Sequence, residues 1–255
     1  MKLRILGCDG GRGLGYNSTT LLFNDHVLLD AGTIQSEITL EDALKVTDIF
    51  LTHAHLDHLL DLPFLLDATF EQRRQPLRIH ATKETLDVMM THIFNDQIWP
   101  NFSKLPTADS GQFTLHEIKS GVSYKAGELT FMPIDVDHTV PTVGYKISDA
   151  NGSLVFSGDT CPVDSIWEVA NNAENLEAVI VDLSFPISEQ HIATLSKHMT
   201  AADVEDQLKK LKVDCDVYVF HYKVGLASIL EGQTKKIMHF GKPVKTLRKY
   251  KELII

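Results

Sequence analysis

A short histidine-rich segment constrains this chain more than any other feature of its sequence. The residues THAHLDH (52–58) carry three imidazoles and one carboxylate directly after an apolar run. Alternate side chains at the end of a strand point the same way, so His53 and His55 can converge on one ion. Asp57 and His58 lie on the turn that follows and can face a second ion. Imidazole and carboxylate without a thiolate favour zinc, manganese or iron with an open coordination position. The alternative is a surface turn that is rich in histidine, but histidines rarely crowd this closely without a metal.

Two neighbouring metal sites need more ligands than this segment supplies. Further histidines and acids occur where other predicted strands end: His138 is the last residue of IDVDH, Asp159 the last of LVFSGD and His221 the last of VYVFH. A single histidine at a strand end is as often structural as it is a ligand. Together, however, these residues place four ligand-bearing strand ends along one rim. The sequence therefore predicts a dinuclear metal centre.

The distribution of the remaining elements predicts an α/β fold. Predicted strands cover residues 3–7, 19–23, 26–30, 48–55, 77–81, 128–136, 143–148, 154–159, 177–185 and 216–221. Predicted helices cover residues 40–46, 59–73, 83–94, 164–173 and 200–211, and residues 95–110 are predicted to be a long loop. Two strand-rich halves, each flanked by helices, indicate a four-layer αββα sandwich in a single domain over residues 1–255.

A glycine-rich loop follows the first predicted strand, with Gly10, Gly11, Gly13 and Gly15. A dinucleotide-binding fingerprint would be followed by a helix. Here two short strands follow, joined by Asn24-Asp25, which predicts a hairpin. We therefore do not expect this loop to cradle a nucleotide.

Charge and cysteine usage limit the partners and the compartment. The chain has 24 Lys+Arg against 34 Asp+Glu, a net charge of −10, and so lacks the basic footprint of a protein that grips long nucleic acids. A small phosphate-bearing substrate is still compatible with this charge. The cysteines Cys8, Cys161 and Cys215 are odd in number and far apart, which favours reduced thiols. Without a signal-peptide pattern or an apolar stretch of about 20 residues, we expect a cytoplasmic protein with no membrane contact.

These motifs resemble those of the metallo-β-lactamase superfamily. Its HxHxDH signature is matched in full by residues 53–58, and an isolated histidine, an aspartate in a Ser-Gly-Asp-Thr turn and a terminal histidine follow in the same order. The resemblance covers essentially the whole chain and implies the αββα metallo-β-lactamase sandwich. It also implies that one ion is held by His53, His55 and His138, the other by Asp57, His58 and His221, and that Asp159 bridges both.

Within that superfamily the chain is similar to the class II cyclic-nucleotide phosphodiesterases. The segment HLDHLLDLPFLLDA (55–68) matches their extended signature except at Asp61, where the signature prefers a small residue. The segments 98–102, 138–145 and 196–200 also resemble bacterial members. Anti-phage-defence enzymes that act on cyclic pyrimidine nucleotides share this plan and are not separated from it by sequence. The related tRNA 3′-end nucleases carry a basic arm that has no counterpart here.

The resemblance implies a binuclear phosphodiesterase that hydrolyses 3′,5′-cyclic nucleotides, most simply with two Zn²⁺ ions, although Mn²⁺ or Fe²⁺ also fits. A hydroxide between the ions would attack phosphorus and expel one ribose oxygen. Asp57 and His198 are the predicted catalytic residues. His198 lies in SKHMT before a helix, where it can contact the phosphate or protonate the leaving oxygen; the alternative is a helix-entry residue without a chemical role. The family also implies a homodimer.

Other residues have two open interpretations. Trp99 and Phe102 can stack on the base, or they can close the core or a subunit contact. Asp203 lies three residues after Thr200, which predicts a capping box and a structural role. The remaining histidines are predicted to have no part in the site: His26, His80, His92, His116, His191 and His239.

Three alternative functions remain open at this point. The first is tRNA 3′-end processing, and the second is hydrolysis of a lactam, lactone or thioester. The third is a metal-stabilised protein that binds a cyclic nucleotide without turning it over.

Overall fold

Two sheets of seven strands each form the centre of the protein, which the computed structural model describes over residues 1–70, 72–107 and 109–255. In chain order the strands are β1 (Lys2–Gly7), β2 (Thr20–Phe23), β3 (Val27–Leu29), β4 (Asp48–Phe50), β5 (Leu77–Ala81), β6 (Pro106–Thr107), β7 (Ser110–Gly111), β8 (Phe113–Glu117), β9 (Tyr124–Ala126), β10 (Leu129–Asp135), β11 (Val143–Ser148), β12 (Ser153–Phe156), β13 (Leu176–Asp182), β14 (Asp216–Phe220), β15 (Met238–His239), β16 (Lys242–Pro243), β17 (Lys245–Thr246) and β18 (Glu252–Ile254). The first sheet has the order β18-β1-β2-β3-β4-β5-β8, and the second has the order β17-β14-β13-β12-β11-β10-β9.

Helices cover the outer faces of both sheets. They are α1 (Leu40–Lys45), α2 (Leu56–Leu59), α3 (Leu62–Thr69), α4 (Lys83–His92), α5 (Ser165–Asn171), α6 (Gln190–Ser196), α7 (Ala201–Gln207) and α8 (Ala227–Thr234), with 3₁₀ turns at Phe102–Lys104, Ile187–Glu189, Leu208–Lys210 and Leu247–Lys249. α3 shows why such helices form, because its buried residues Leu62, Leu65, Leu66 and Thr69 lie on one face. Among the described residues, no helix combines the length and the apolar character needed to cross a membrane.

Three apolar layers separate the four layers of secondary structure. The inner layer joins the two sheets, where Phe50 of β4 stacks on Phe131 of β10 with ring centroids 4.1 Å apart. One outer layer packs α1–α4 on the first sheet, and the other packs α5, α7 and α8 on the second. This arrangement confirms the predicted αββα sandwich.

Parallel strands bring the predicted ligands to one edge. β3 and β4 are parallel in the first sheet, as are β12, β13 and β14 in the second. The carboxyl ends of parallel strands meet at the same edge of a sheet, where open α/β sheets place their ligand sites. The histidine segment follows β4, while Asp159 follows β12 and His221 follows β14.

The hairpin predicted at Asn24-Asp25 is confirmed. β2 and β3 pair antiparallel, and both turn residues have positive φ angles of 46° and 61°. Positive φ at both positions is the requirement of a type I′ turn, which matches the twist of the flanking strands.

Two elements beside the histidine segment differ from the prediction. The strand predicted over 48–55 ends at Phe50, because the Thr52 amide donates to Asp30 Oδ1 (2.8 Å) instead of continuing the ladder. The helix predicted over 59–73 is divided into α2 and α3. The break occurs where the Asp61 amide donates to the Ala31 carbonyl (2.9 Å). α3 ends at Thr69, and the prediction beyond it includes Glu71, which lies outside the described residues.

The prediction of a long loop over residues 95–110 was wrong in part. It contains the 3₁₀ turn Phe102–Lys104, and the short ribbon formed by β6 and β7 begins there. Ala108 lies outside the described residues. Pairing over two residues per strand is too short to leave a periodic signal in the sequence.

Candidate metal centre

Three imidazoles converge after β4 and β10. His53 Nε2 lies 3.0 Å from His55 Nδ1, which in turn lies 3.2 Å from His138 Nε2. His53 and His138 are buried and His55 is half-buried. Although the segment leaves the sheet at Phe50, the two histidines predicted to converge do so.

Asp159 connects this trio to a second group. Its Oδ2 atom lies 2.9 Å from His221 Nε2, 3.3 Å from His58 Nε2 and 3.9 Å from His53 Nε2. Asp57 Oδ2 lies 3.4 Å from His221 Nε2. The structure thus brings together all seven residues that the sequence predicted as ligands.

Unpaired polar atoms test whether these residues fit a metal. Within the described residues, the buried atoms His58 Nε2, His221 Nε2 and Asp159 Oδ1 have no hydrogen-bond partner of acceptable geometry. Leaving such an atom unpaired costs about 1–3 kcal/mol. The ligand atoms of His53, His55 and His138 lie within 4.8 Å of one another, and so do those of Asp57, His58 and His221. Imidazole nitrogens and carboxylate oxygens at this spacing fit divalent metal ions.

The Nδ1 atoms of His53 and His221 point away from the centre, and their hydrogen bonds determine which ring nitrogen keeps its lone pair. Thr52 Oγ1 donates to the Asp30 carboxylate (2.9 Å), so it accepts from His53 Nδ1 (2.9 Å). Ser184 Oγ donates to Asp182 Oδ1 (2.6 Å) and accepts from His221 Nδ1 (2.9 Å). In both histidines the Nε2 lone pair is therefore left for the centre, as a metal ligand requires.

His58 and His138 are oriented in the same way. His58 Nδ1 donates to Asp30 Oδ2 (2.7 Å), and His138 Nδ1 donates to the Lys197 carbonyl (3.1 Å). Sequence reasoning missed Asp30, Ser184 and the Lys197 carbonyl. Asp30 directly follows β3, but no motif distinguishes it from other acids near strand ends. A backbone carbonyl leaves no signal in the sequence.

Without metal, the pKa values of several ligand side chains differ strongly from their ordinary values. Burial lowers the pKa of His53 well below its ordinary value, and the nearby His58 adds to this effect. Burial also disfavours protonation of His58, but Asp159 and Asp30 outweigh it and raise the pKa of His58 well above its ordinary value. For Asp57, burial is outweighed by His221 and His58, so its pKa is held well below the usual carboxyl value. Asp57 is therefore ionised at neutral pH.

His198 lies beside the centre, outside the two predicted trios, although its ligand atom also lies within 4.8 Å of those of His138 and Asp159. Its Nδ1 donates to Asp182 Oδ2 at 2.7 Å, and both side chains are buried. Its ring centroid is 4.9 Å from that of His138 and 4.9 Å from that of His221. Asp182 ends β13 and also accepts from the Thr160 amide (3.1 Å), so a fixed carboxylate holds the imidazole. Sequence reasoning missed Asp182, although it too is an acid at a strand end.

The residues with two open interpretations also have defined surroundings. Phe102 is buried against Phe70 (centroids 5.4 Å), which agrees with the core alternative. Trp99 is half-buried and packs edge-to-face on Phe64 (5.1 Å). Asp203 forms the capping box of α7 with Thr200, as predicted.

The two sheets, their helices and the histidine–aspartate centre define a metal-binding hydrolase of the metallo-β-lactamase fold. The family described as "Beta-lactamase superfamily domain" matches residues 26–222, and the chain belongs to this family.

Among curated relatives, the chain is 26% identical over 250 residues to a "Probable 3′,5′-cyclic-nucleotide phosphodiesterase" of Yersinia pestis, covering 81% of this chain and 71% of that protein. It is 27% identical over 171 residues to a ribonuclease Z of a Mycobacterium species, covering 61% of this chain and 58% of that protein. Among solved structures, unliganded yeast PDE1 matches with a TM-score of 0.79 at 18% identity, covering 96% of each chain.

Proposed function

We propose that the protein is a binuclear metal-dependent phosphodiesterase that hydrolyses 3′,5′-cyclic nucleotides to nucleoside monophosphates. The observation that carries this proposal is the position of Asp159 Oδ2 between two groups of ligand atoms, within 3.3 Å of His58 and His221 on one side and 3.9 Å from His53 on the other. A shared carboxylate between two imidazole groups suits a pair of ions. The similarity to the Yersinia pestis phosphodiesterase supports the substrate class.

His53, His55 and His138 would hold one ion and Asp57, His58 and His221 the other, with Asp159 shared. The imidazole-rich donor set favours zinc, while manganese and iron also suit it. Ions bound there would neutralise charge on the phosphodiester and lower the pKa of the attacking water.

The chain's own residues supply the proton transfers. The side chain of Asp57 is 25% exposed, so this ionised carboxylate can accept a hydrogen bond from the attacking water and orient it toward phosphorus. His198 is held at Nδ1 by Asp182, which leaves Nε2 to donate a proton to the departing ribose oxygen. The cyclic diester opens as the bond between phosphorus and that oxygen breaks.

The decisive experiment is a hydrolysis screen with metal analysis of the same preparation. We expect about two metal ions per chain, turnover of at least one of cAMP, cGMP, cCMP and cUMP, and loss of turnover on chelation. Fully metallated protein that leaves all four intact would contradict the substrate class. If it bound one of them without turnover, the protein would instead be a cyclic-nucleotide-binding protein.

The role of His198 has its own test. His198→Ala should retain the bound metal while turnover falls by about 10²–10⁴-fold, the usual contribution of a positioned acid. His191→Ala is a matched control, because His191 is an exposed histidine of α6 seven residues earlier. Equal loss of metal and activity in His198→Ala would identify His198 as a ligand instead.

A second candidate function is tRNA 3′-end processing, which the similarity to ribonuclease Z favours over part of the chain. The net charge of −10 argues against it, since gripping an RNA needs a basic surface. Cleavage of a pre-tRNA 3′ trailer by the metallated protein would select this function. The homodimer also stays a prediction, which light scattering of the purified protein tests.

A further inference from the structure

The glycine-rich loop, residues 10–16, lies directly against a candidate metal ligand. A Cβ atom built on Gly10 would be 2.7 Å from His221 Cε1, so only glycine lets the backbone approach this closely. The next two loop contacts are to Val224, at 3.1 Å from Gly11 and 3.5 Å from Gly13 by the same measure. The loop therefore forms one wall beside the group made by Asp57, His58 and His221.

Asp61 lies in the segment that carries two of the other ligands, Asp57 and His58. It follows His58 by three residues and is buried. Its Oδ2 accepts from the amides of Ile34 (2.7 Å) and Gln35 (3.1 Å), and its Oδ1 accepts from Arg12 Nη1 (2.6 Å). Because two amides and one guanidinium surround this carboxylate, the acid is well accommodated where the phosphodiesterase signature prefers a small residue.

Arg12 thus links the loop that contacts His221 to the segment that follows His58. Its side chain is 41% exposed. Among the described residues, Asp61 is its one hydrogen-bonding partner, and that contact uses a single guanidinium nitrogen. A guanidinium carries five N–H donors in a planar fork, so most of them remain available to a ligand.

Arg248 contacts both ends of the loop that carries Arg12. Arg248 forms an ion pair with Asp9, donates to the Gly15 carbonyl (3.0 Å) and lies over the Tyr16 ring at 4.6 Å. Gly13 and Tyr16 close the loop with reciprocal backbone hydrogen bonds of 3.1 and 3.0 Å. With both ends of the loop held, the Arg12 backbone is positioned before any ligand arrives.

We propose that Arg12 is a substrate-binding residue that donates hydrogen bonds to the anionic oxygens of the substrate phosphate, and that Asp61 positions it. This inference rests on the proposed function for the identity of the substrate as a phosphodiester. A planar guanidinium matches two phosphate oxygens at once, which gives both charge and direction. The contact is made to the bound substrate as well as to the transition state, so its loss raises KM more than it lowers kcat.

The test measures binding of inorganic phosphate to the metal-loaded protein by calorimetry, with three variants. Arg12→Gln should weaken phosphate binding by about tenfold, the value of one charge-assisted hydrogen bond at a partly exposed site. Asp61→Asn should weaken it by about threefold or less, because Arg12 keeps its charge and an amide oxygen still accepts from the backbone. Arg4→Gln removes the same charge at β1, where Arg4 is bound to Asp25 and Asp42, and should leave the affinity unchanged.

Equal weakening in Arg12→Gln and Asp61→Asn would overturn the proposal, because the ion pair would then be a structural tie between loop and helix. Unchanged binding in Arg12→Gln, or no phosphate binding by the wild type, would also overturn it. Phosphate binding requires no turnover. An absence of cyclic-nucleotide hydrolysis would therefore contradict the proposed function separately, while the titration still decides the role of Arg12.

Discussion

Replacing Asp182 by asparagine is predicted to slow turnover even at saturating metal. Asp182 is fully buried and holds His198 Nδ1 at 2.7 Å. Asparagine has the same shape, and its oxygen can still face His198 and the Thr160 amide. The hydrogen bond survives, but the negative charge that stabilises a protonated imidazole is lost.

The size of the effect follows from the change in hydrogen-bond type. A hydrogen bond to a charged group contributes about 1.5–3 kcal/mol, against about 0.5–1.5 kcal/mol for a neutral one. The difference of about 1–2 kcal/mol corresponds to a fall in kcat of roughly 5- to 30-fold.

Asp30→Asn is the matched control. Asp30 is equally buried and lies 2.7 Å from His58 Nδ1, so the two substitutions are chemically the same. His58 is a proposed ligand, and weakening the residue behind a ligand typically costs about 10–100-fold in metal affinity. At saturating metal, Asp30→Asn should therefore turn over near the wild-type rate.

The assay compares kcat, KM and metal content of both variants with a cyclic nucleotide at low and saturating metal. The expected pattern is a kcat defect in Asp182→Asn that added metal does not repair, and a defect in Asp30→Asn that it does. If saturating metal restored kcat in both variants alike, or if Asp182→Asn kept full kcat, the assignment of Asp182 as the residue that positions a proton donor would be refuted.

Three further predictions concern the metal centre and the stability of the fold. Removing metal with a chelator should lower Tm by about 10–20 °C, since each of two ions present at about 100 times its Kd contributes about 2.7 kcal/mol; an unchanged Tm would contradict a resident metal. Gly10→Ala should lower metal content because its Cβ would lie 2.7 Å from His221, whereas Gly13→Ala, whose nearest neighbour is 3.5 Å away, should not; plasma emission analysis of both compares them. Burial of Asp48 is outweighed by His80, Arg78 and Thr47, which hold its pKa below the usual value. The stability from ionised Asp48 is therefore fully present above about pH 4 and declines as pH falls toward the depressed pKa of the folded state, so the difference in urea unfolding between Asp48→Asn and wild type should narrow below about pH 4; a constant difference would argue against this.

Much of the fold was predictable because its signals are local. The hairpin at Asn24-Asp25 requires only two residues that tolerate positive φ, and β11 was predicted with its observed bounds. The division between α2 and α3 was not predictable in this way. It depends on a bond from Asp61 to Ala31, a residue on another element, while the local pattern of leucines is continuous.

The same contrast applies within the candidate site. The residues that converge at the centre were found because the histidine segment is a recognisable motif and the ends of parallel strands share one edge. Asp30 and Asp182 also follow this rule, yet no motif distinguishes them from other acids near strands. What identifies them is a distance of 2.7 Å to an imidazole, which only the packed structure contains.

The sequence by itself determined which residues form the centre. The histidine segment and the strand-end residues supply its ligands, and parallel strands bring their ends to one edge. The tertiary structure alone decided which nitrogen of each imidazole faces the centre, which acid holds His198, and how Arg12 reaches Asp61. The contacts that hold His198 and Arg12 join residues 16 and 49 positions apart, Asp182 with His198 and Arg12 with Asp61. Their geometry depends on the relative placement of separate strands and loops, which the periodicity of a single chain does not encode.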